Sequence, residues 1–355
     1  MQNKIPLALG LMSGTSADGL TIAALNLKGQ NCLCYKTYPY TKKLQKEILN
    51  AVNYTAPKLA KLDYDLGRLY LKLTKRFIKE FNLKNIKVIG CHGQTICHNP
   101  KDKATMQIGQ GAFLAKNLKI PVVNNFRAAD IALGATGAPL MPIFDEQFFK
   151  NSKPIILLNL GGIANFSLAG KNIKTFGFDI GPANALSDNA VSILTKDKKT
   201  FDKNGSLAAK YTPDINYAQK LVRIFMPEKP GISLDRNAFG TNFLNKYFPN
   251  LQEKDISTLN YFTALLISQT LKKFVLSKYK INTIAISGGG IFNKTLISNL
   301  QNLTQLDIIN TIQLGLEPMA KEALAMAYFA WQTINKKPLR TTNKIKTILG
   351  EIILP

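Results

Sequence analysis

Acidic residues are scarce in this chain. Asp and Glu number 22 against 46 Lys and Arg in 355 residues, a formal charge of +24. Histidine is scarcer still, at two, and cysteine is limited to four. Each shortage excludes something. Four cysteines in so long a chain do not make a disulfide framework and fit a reduced, cytoplasmic setting. No apolar run reaches the ~20 residues a helix needs to cross a bilayer. The opening MQNKIPLALGLMSGTSA imitates a secretion signal, but Pro6 and Gly10 interrupt it and no small-x-small cleavage site follows. The charge excess could suit nucleic acid or a membrane surface. It consists, however, of forty Lys and only six Arg, and Arg is the residue suited to planar recognition of phosphates and bases. The lysines are also dispersed, in short clusters such as KDKK (196–199). A solvated lysine-rich surface is expected, with neither nucleic acid nor membrane as partner.

What is present is apolar residues, at 46%, and glycine at the ends of strands. The length suits two domains, each with its own core. KIPLALGLMSGTSADG (4–19) is an apolar run ending in a Gly/Ser/Thr loop, and DGLTIAALNL (18–27) alternates like the returning strand of a hairpin. KPIILLNLGGIANFSLAG (153–170) repeats the scheme. NIKVIGCHGQT (85–95) and INTIAISGGGIFN (281–293) each read as a short strand broken by glycines. Leu62, Leu66, Leu69, Leu73, Phe77 and Phe81 recur at helical spacing, as do Leu259, Phe262, Leu266 and Phe274. Strands alternating with helices indicate an α/β fold. The twice-repeated unit predicts two related domains with mixed sheets facing a central cleft, as in the actin-like (ribonuclease H-like) ATPases and sugar kinases. The expected boundaries are 1–130, completed by 335–355, and 131–334.

The glycine loops are candidate nucleotide sites. SGTSADG (13–19) offers consecutive backbone N–H groups, hydroxyls at Ser13, Thr15 and Ser16, and the Asp18 carboxylate, a hard oxygen ligand suited to Mg²⁺. It is neither a Walker A loop, lacking the lysine, nor a dinucleotide fingerprint. The triple glycine 288–290 suits a flat ligand, such as an adenine ring or ribose, lying against bare backbone. LNLGGIANF (158–166) follows the same logic; each loop alone also reads as an ordinary turn, but three at strand ends in one chain make coincidence a poor account.

CHGQTICH (91–98) places two Cys and both His within eight residues. A tetrahedral metal site needs ligands that converge, whereas adjacent Cys91 and His92 point to opposite sides of a strand. A hydrogen-bonding role for His92 and a surface-loop position for His98 are the better expectation.

The strings GLMSGTSADG, GCHGQT, MQIGQG, NNFRAADIALGATGAPLMP, LLNLGGIANFS, GFDIGPANALSD, SGGGIFN and KEALAMAYFA run nearly end to end. In this order and spacing the chain resembles the anhydro-N-acetylmuramic acid kinase family. The resemblance implies a cytoplasmic homodimer using ATP and Mg²⁺. Its substrate would be 1,6-anhydro-N-acetylmuramic acid, an amino sugar of cell-wall turnover, opened by water and phosphorylated at O6. It also implies Asp179, in GFDIGPAN, as the catalytic base. ATP would meet Gly14, Thr15, Ser16, Ala17, Asp18, Gly19, Leu20, Thr21, Gly161, Gly162, Gly288, Gly289, Gly290 and Asn293. The sugar would meet His92, Gln94, Thr95, Asp130 and Glu322.

The chain also departs from the family. Thr21 stands where GTS-x-DG-x-D ends in Asp. Asn124 and Asn125 replace Gly-Asp, and Gln110 replaces Asp. Only Arg127 and Asp130 remain of an RR-x-D cluster, and Ser233 and Arg236 of a PPKSTGRE element. Two other functions therefore compete: a kinase for a related sugar, and a nucleotide-binding protein without catalysis. Asp179 separates them, since binding alone needs no base. If the 13–19 loop cradles phosphates, Gly14→Val should raise the KM for ATP while leaving the fold intact, as steady-state kinetics with circular dichroism would read out.

Overall fold

The structure is a computed structural model that describes residues 5–230, 239–341 and 345–355. Ser233 and Arg236 lie outside the described residues. Two compact units are formed: Met1–Phe144 with Gly315–Pro355, and Asp145–Leu314. The second is inserted into the first.

The first unit contains β1 (Leu7–Ser13), β2 (Gly19–Asn26), β3 (Asn31–Pro39), β4 (Ile86–Asn99), β5 (Ala104–Ile108) and β6 (Val122–Asn124). The second contains β7 (Ile155–Leu160), β8 (Ile163–Ala169), β9 (Phe176–Pro182), β10 (Thr283–Ser287) and β11 (Asp307–Asn310). The chain then returns to the first unit with β12 (Leu339–Arg340), β13 (Lys346–Thr347) and β14 (Glu351–Ile353). The first sheet runs β3-β2-β1-β4-β6-β14, with β5 paired to β4; the second runs β9-β8-β7-β10-β11. In both, three antiparallel strands continue into parallel ones. This is the ribonuclease H-like order, present twice, and the α/β expectation with mixed sheets holds.

Period-2 geometry explains the first sheet. Leu7, Leu9 and Leu11 of β1 enter a core with Leu62, Leu66, Tyr70 and Phe77 of the helix Ala56–Glu80. Ala8 and Gly10 face the other way, where the helix Lys321–Ile334 packs on β1 and β4. Gly10 and Gly90 are paired neighbours on those strands. A Cβ on Gly10 would lie 1.7 Å from the Ala323 carbonyl oxygen, and one on Gly90 2.0 Å from that of Met326. The glycines, with Ala323 and Ala330 opposite, let helix and sheet meet backbone to backbone. This packing draws the whole helix into the first unit, so the second junction falls at Gly315 rather than at 335. The first junction falls after Phe144, whose ring meets Tyr328 and Phe329 of that helix at 5.7 and 6.5 Å, rather than at 130.

Glycine misleads in β4, which runs unbroken through Gly90 and Gly93. At Gly93, with φ +77°, the strand passes from its pairing with β1 to its pairing with β5. His98 therefore lies on a strand, half-buried, 3.2 Å from Thr105 Oγ1, and not in a surface loop. In the second unit the helix Asp255–Leu271 is buried on nearly every side; Leu259, Phe262 and Leu266 join Ile156, Leu158, Phe166 and Phe178 in its core. Among the described residues no helix is long and apolar enough to cross a membrane.

Gly90→Ala should lower stability by about 3 kcal/mol, since a methyl group is forced onto fixed backbone. Gly289→Ala, with no neighbour within 4 Å of the new carbon, should stay within about 0.5 kcal/mol. Urea unfolding of both proteins checks the contrast.

Candidate functional site

In the first unit the loop after β1 is tied to the end of β4. Ser13 Oγ donates to Gln94 Oε1 at 2.6 Å and lies 3.0 Å from the Gly19 carbonyl. Gln94 Nε2 in turn donates to the carbonyls of Gly14 and Thr95 at 3.1 and 3.2 Å. Gln94, a candidate for sugar contact, is fully buried with its amide engaged by Ser13, Gly14 and Thr95. Ala17 turns the loop with φ +50° and donates its N–H to Gly14 O at 3.0 Å. Gln45 Nε2 reaches Ser16 O at 3.0 Å. Thr15 and Asp18 remain exposed, while Gly19 and Leu20 are buried in β2. Thr21 pairs with Thr37 of β3, their hydroxyls 2.9 Å apart. The aspartate usual in the family would meet that hydroxyl.

A charged group surrounds Arg127, which the sequence reading did not single out as a site residue. Its Nε donates to His92 Nε2 at 3.3 Å and its Nη1 to Gly137 O at 2.9 Å. Asp130 is fully buried and accepts from Gly137 N at 2.8 Å, which fixes the same turn. Burial lowers the Arg127 pKa to about 10, opposed by Glu322 and Asp130. Burial and the Arg127 charge lower that of His92 to about 3. Glu322, in the first turn of Lys321–Ile334, is reached by solvent. Surrounding protein nevertheless raises its pKa, with Asp18 adding and Arg127 and Lys321 opposing. Thr95 follows Gln94 and lies 3.5 Å from Gln107 Nε2. Beside His92 a polar recess of about 240 Å³ is bordered by Gln107, Asn124, Asn125 and Glu351. Asn125, with φ +51°, donates to Glu351 at 2.7 Å.

In the second unit the β7–β8 turn, Gly161 and Gly162, is stitched to the segment after β9. The Gly162 carbonyl accepts from Ala183 N at 2.9 Å, and that of Gly161 from Asn184 N and Nδ2, both at 3.0 Å. Asp179 is half-buried on β9 between the buried Phe178 and Ile180, opposite Asn165 of β8. Asn165 pairs with Asn159 of β7, and Asn159 with Ser287 of β10, giving a polar row across four strands. Two of the three glycines 288–290 are explained by packing. A Cβ at Gly288 would meet Asn159 Oδ1 at 2.6 Å, and one at Gly290 would meet Leu160 Cβ at 2.4 Å; only Gly289 faces open space. Asn293 caps the helix Lys294–Thr304, its Oδ1 accepting from Leu296 N at 3.0 Å and Asn260 Nδ2 at 3.2 Å. That side-chain oxygen is committed to the fold rather than to a nucleotide. Among the described residues no three His, Cys, Asp or Glu are placed to hold a metal ion.

Two sheets of the same ribonuclease H-like strand order, each with glycine turns at strand ends, define an α/β fold of the kind used by actin-like kinases. The sequence profile described as anhydro-N-acetylmuramic acid kinase matches residues 6–354. The chain is 34% identical to the anhydro-N-acetylmuramic acid kinase of Francisella tularensis subsp. novicida, over 97% of each chain. It is 33% identical to that of Caldanaerobacter subterraneus subsp. tengcongensis, over 98% of this chain and 97% of the relative. With the enzyme of Bacillus cereus strain ZK / E33L identity is 32%, over 98% of both. The chain belongs to the anhydro-N-acetylmuramic acid kinase family, and is a kinase.

His92 makes stability depend on pH. The folded residue protonates near pH 3, an unfolded histidine near 6.5. As pH falls below 6.5 the unfolded state takes up the proton first, so folded stability declines down to about pH 3. His92→Gln removes that proton. Between pH 7 and pH 5 it should lose about 2 kcal/mol less stability than the parent, measured by denaturant unfolding at each pH.

Proposed function

We propose that this protein converts 1,6-anhydro-N-acetylmuramic acid, ATP and water to N-acetylmuramic acid 6-phosphate and ADP, as a step in cell-wall recycling. Asp179 carries this reading, as a half-buried carboxylate on β9 within the FDIGPAN segment. It takes a proton from water while the water oxygen bonds to C1 and the C1–O6 bond breaks. O6 then bonds to the γ-phosphorus of ATP, the bond to the ADP oxygen breaks, and ADP leaves. An ordinary inverting glycosidase needs a second carboxyl group to protonate its leaving oxygen; here the phosphoryl group captures that oxygen, so one base suffices.

The 14–19 loop supplies backbone N–H groups to phosphate oxygens. Among the second unit's glycines, Gly289 faces open space, while Gly161 and Gly162 have their carbonyls engaged and could offer only N–H groups. Asp18 suits Mg²⁺, being an exposed carboxylate whose charge bears on Glu322, a pairing that a cation would relieve. When bound, Mg²⁺ neutralises charge on the transferring phosphoryl group. Glu322 and Arg127 provide polar contacts for the sugar and its substituents. A cytoplasmic homodimer is the working state.

Asp179→Asn keeps the shape but cannot take the proton. It should lower kcat by about 10²–10⁴-fold, with ATP and sugar still bound. Ring opening and phosphorylation should fall together in a coupled ADP-release assay. In oxygen-18 water the parent enzyme should place the label on the anomeric hydroxyl. Label in the phosphate, or turnover by Asp179→Asn near the parent rate, would refute the mechanism.

A further inference from the structure

Arg127 Nε can only donate, and it points to His92 Nε2 at 3.3 Å. The imidazole must therefore accept at Nε2, which leaves its proton on Nδ1, 3.1 Å from the Gly93 carbonyl. Both ring nitrogens are then engaged by protein, and the residue is 3% exposed. A histidine spent in this way has nothing left to offer a sugar. Arg127 has. With Nε on His92 and one Nη1 hydrogen on Gly137 O, three N–H groups remain on the guanidinium of a half-buried residue.

We propose that His92 is a positioning residue: neutral, with its proton on Nδ1, it holds Arg127 so that the remaining N–H groups meet an anionic oxygen of a substrate. A protonated His92 would turn its acceptor into a second donor against Arg127 and break the arrangement, so the neutral form is the working one. The low pKa of the ring accords with this. The charged and titratable groups around the pair are Glu322 and Asp130 beside Arg127, and Cys91 and Glu351 on the recess that His92 borders. The anionic oxygen belongs either to the sugar's lactyl carboxylate or to a phosphoryl group of ATP, and this part rests on the kinase reading above. The tautomer and the hold on Arg127 do not.

With only two histidines in the chain, nitrogen-15 NMR of the full-length protein is decisive, His98→Ala giving the assignment. His92 should show a protonated Nδ1 and a bare Nε2, with no titration between pH 5 and 8. Arg127→Met should shift the Nε2 signal and move the titration up toward the ordinary range. A proton on Nε2, or ordinary titration in the parent protein, overturns the proposal.

Kinetics tests the positioning. His92→Leu should raise one KM by roughly ten- to a hundredfold, as expected for losing a hydrogen bond to a charged group. His92→Gln, whose amide oxygen can accept from Nε, should recover most of it. If the sugar KM moves, and the effect vanishes with 1,6-anhydro-N-acetylglucosamine, which lacks the lactyl ether, the oxygen is the carboxylate. If the ATP KM moves, it is phosphoryl. Equal defects in the Leu and Gln variants, or no KM change in either, overturn the positioning role. A parent enzyme inactive on every sugar would refute the kinase reading while leaving the NMR result to stand.

Discussion

The candidate site of the first unit depends on a backbone contact between Gly10 and Gly90 on the sheet and Ala323 and Met326 on the helix above them. Side chains normally hold a helix about 10 Å from a sheet. Here two neighbouring strands lack them, and the helix settles into the gap. Its first turn, carrying Glu322, is thereby fixed within electrostatic reach of Arg127 and Asp18. Ser13 and Gln94 then tie the loop to the same strands. Rigidity in this region comes from the absence of side chains as much as from their interlocking.

The charge balance gives the few carboxylates unusual weight. In a chain of +24, lysines exposed to water cost little and are screened. Asp130 and Glu322 instead flank the half-buried Arg127 and oppose the lowering of its pKa by burial, while the charge of Asp18 bears on Glu322. Arg127 suits that position because it remains charged where a lysine would more readily give up its proton. The basic surface and the site are thus distinct electrostatic regimes, and net charge alone describes only the first.

Much of the fold was legible in the sequence because alternation and 3.6-residue spacing report directly on burial. Both glycine-ended hairpins and the two long helices lie where the pattern put them. The failures share a cause. Glycine reads as a breaker, but in β4 Gly90 is a seat for a helix 230 residues away in sequence, information no local window contains. Gly288 and Gly290, candidates for ligand contact, also have a packing reason to lack a side chain, since a Cβ would meet Asn159 and Leu160. Gln94 and His92, candidates for substrate contact, are engaged with Ser13, Gly14 and Thr95 and with Gly93 and Arg127. Motif strings identify which residues belong near a site without distinguishing those that touch from those that brace. Arg127 was read only as the remnant of an RR-x-D cluster and not as a site residue, because a single charge leaves no periodic trace. Asn293 could have been found: an Asn directly before a helical run is the usual N-cap signal.

The insertion of one unit into the other has a consequence for how the chain is made. The helix that covers Gly10 and Gly90 belongs to the last part of the polypeptide, beyond the whole of Asp145–Leu314. At ~5–20 residues per second of synthesis, the early strands wait roughly 10–60 s for it. During that interval the second unit, whose sequence is continuous, can complete its own core. The first is left with a bare glycine strip along its central strands, apolar and unpaired on that face. The order of assembly therefore runs opposite to the order of translation: the unit begun first is finished last. A ribosome that stops short of residue 321 releases a half-built sheet rather than a shortened enzyme.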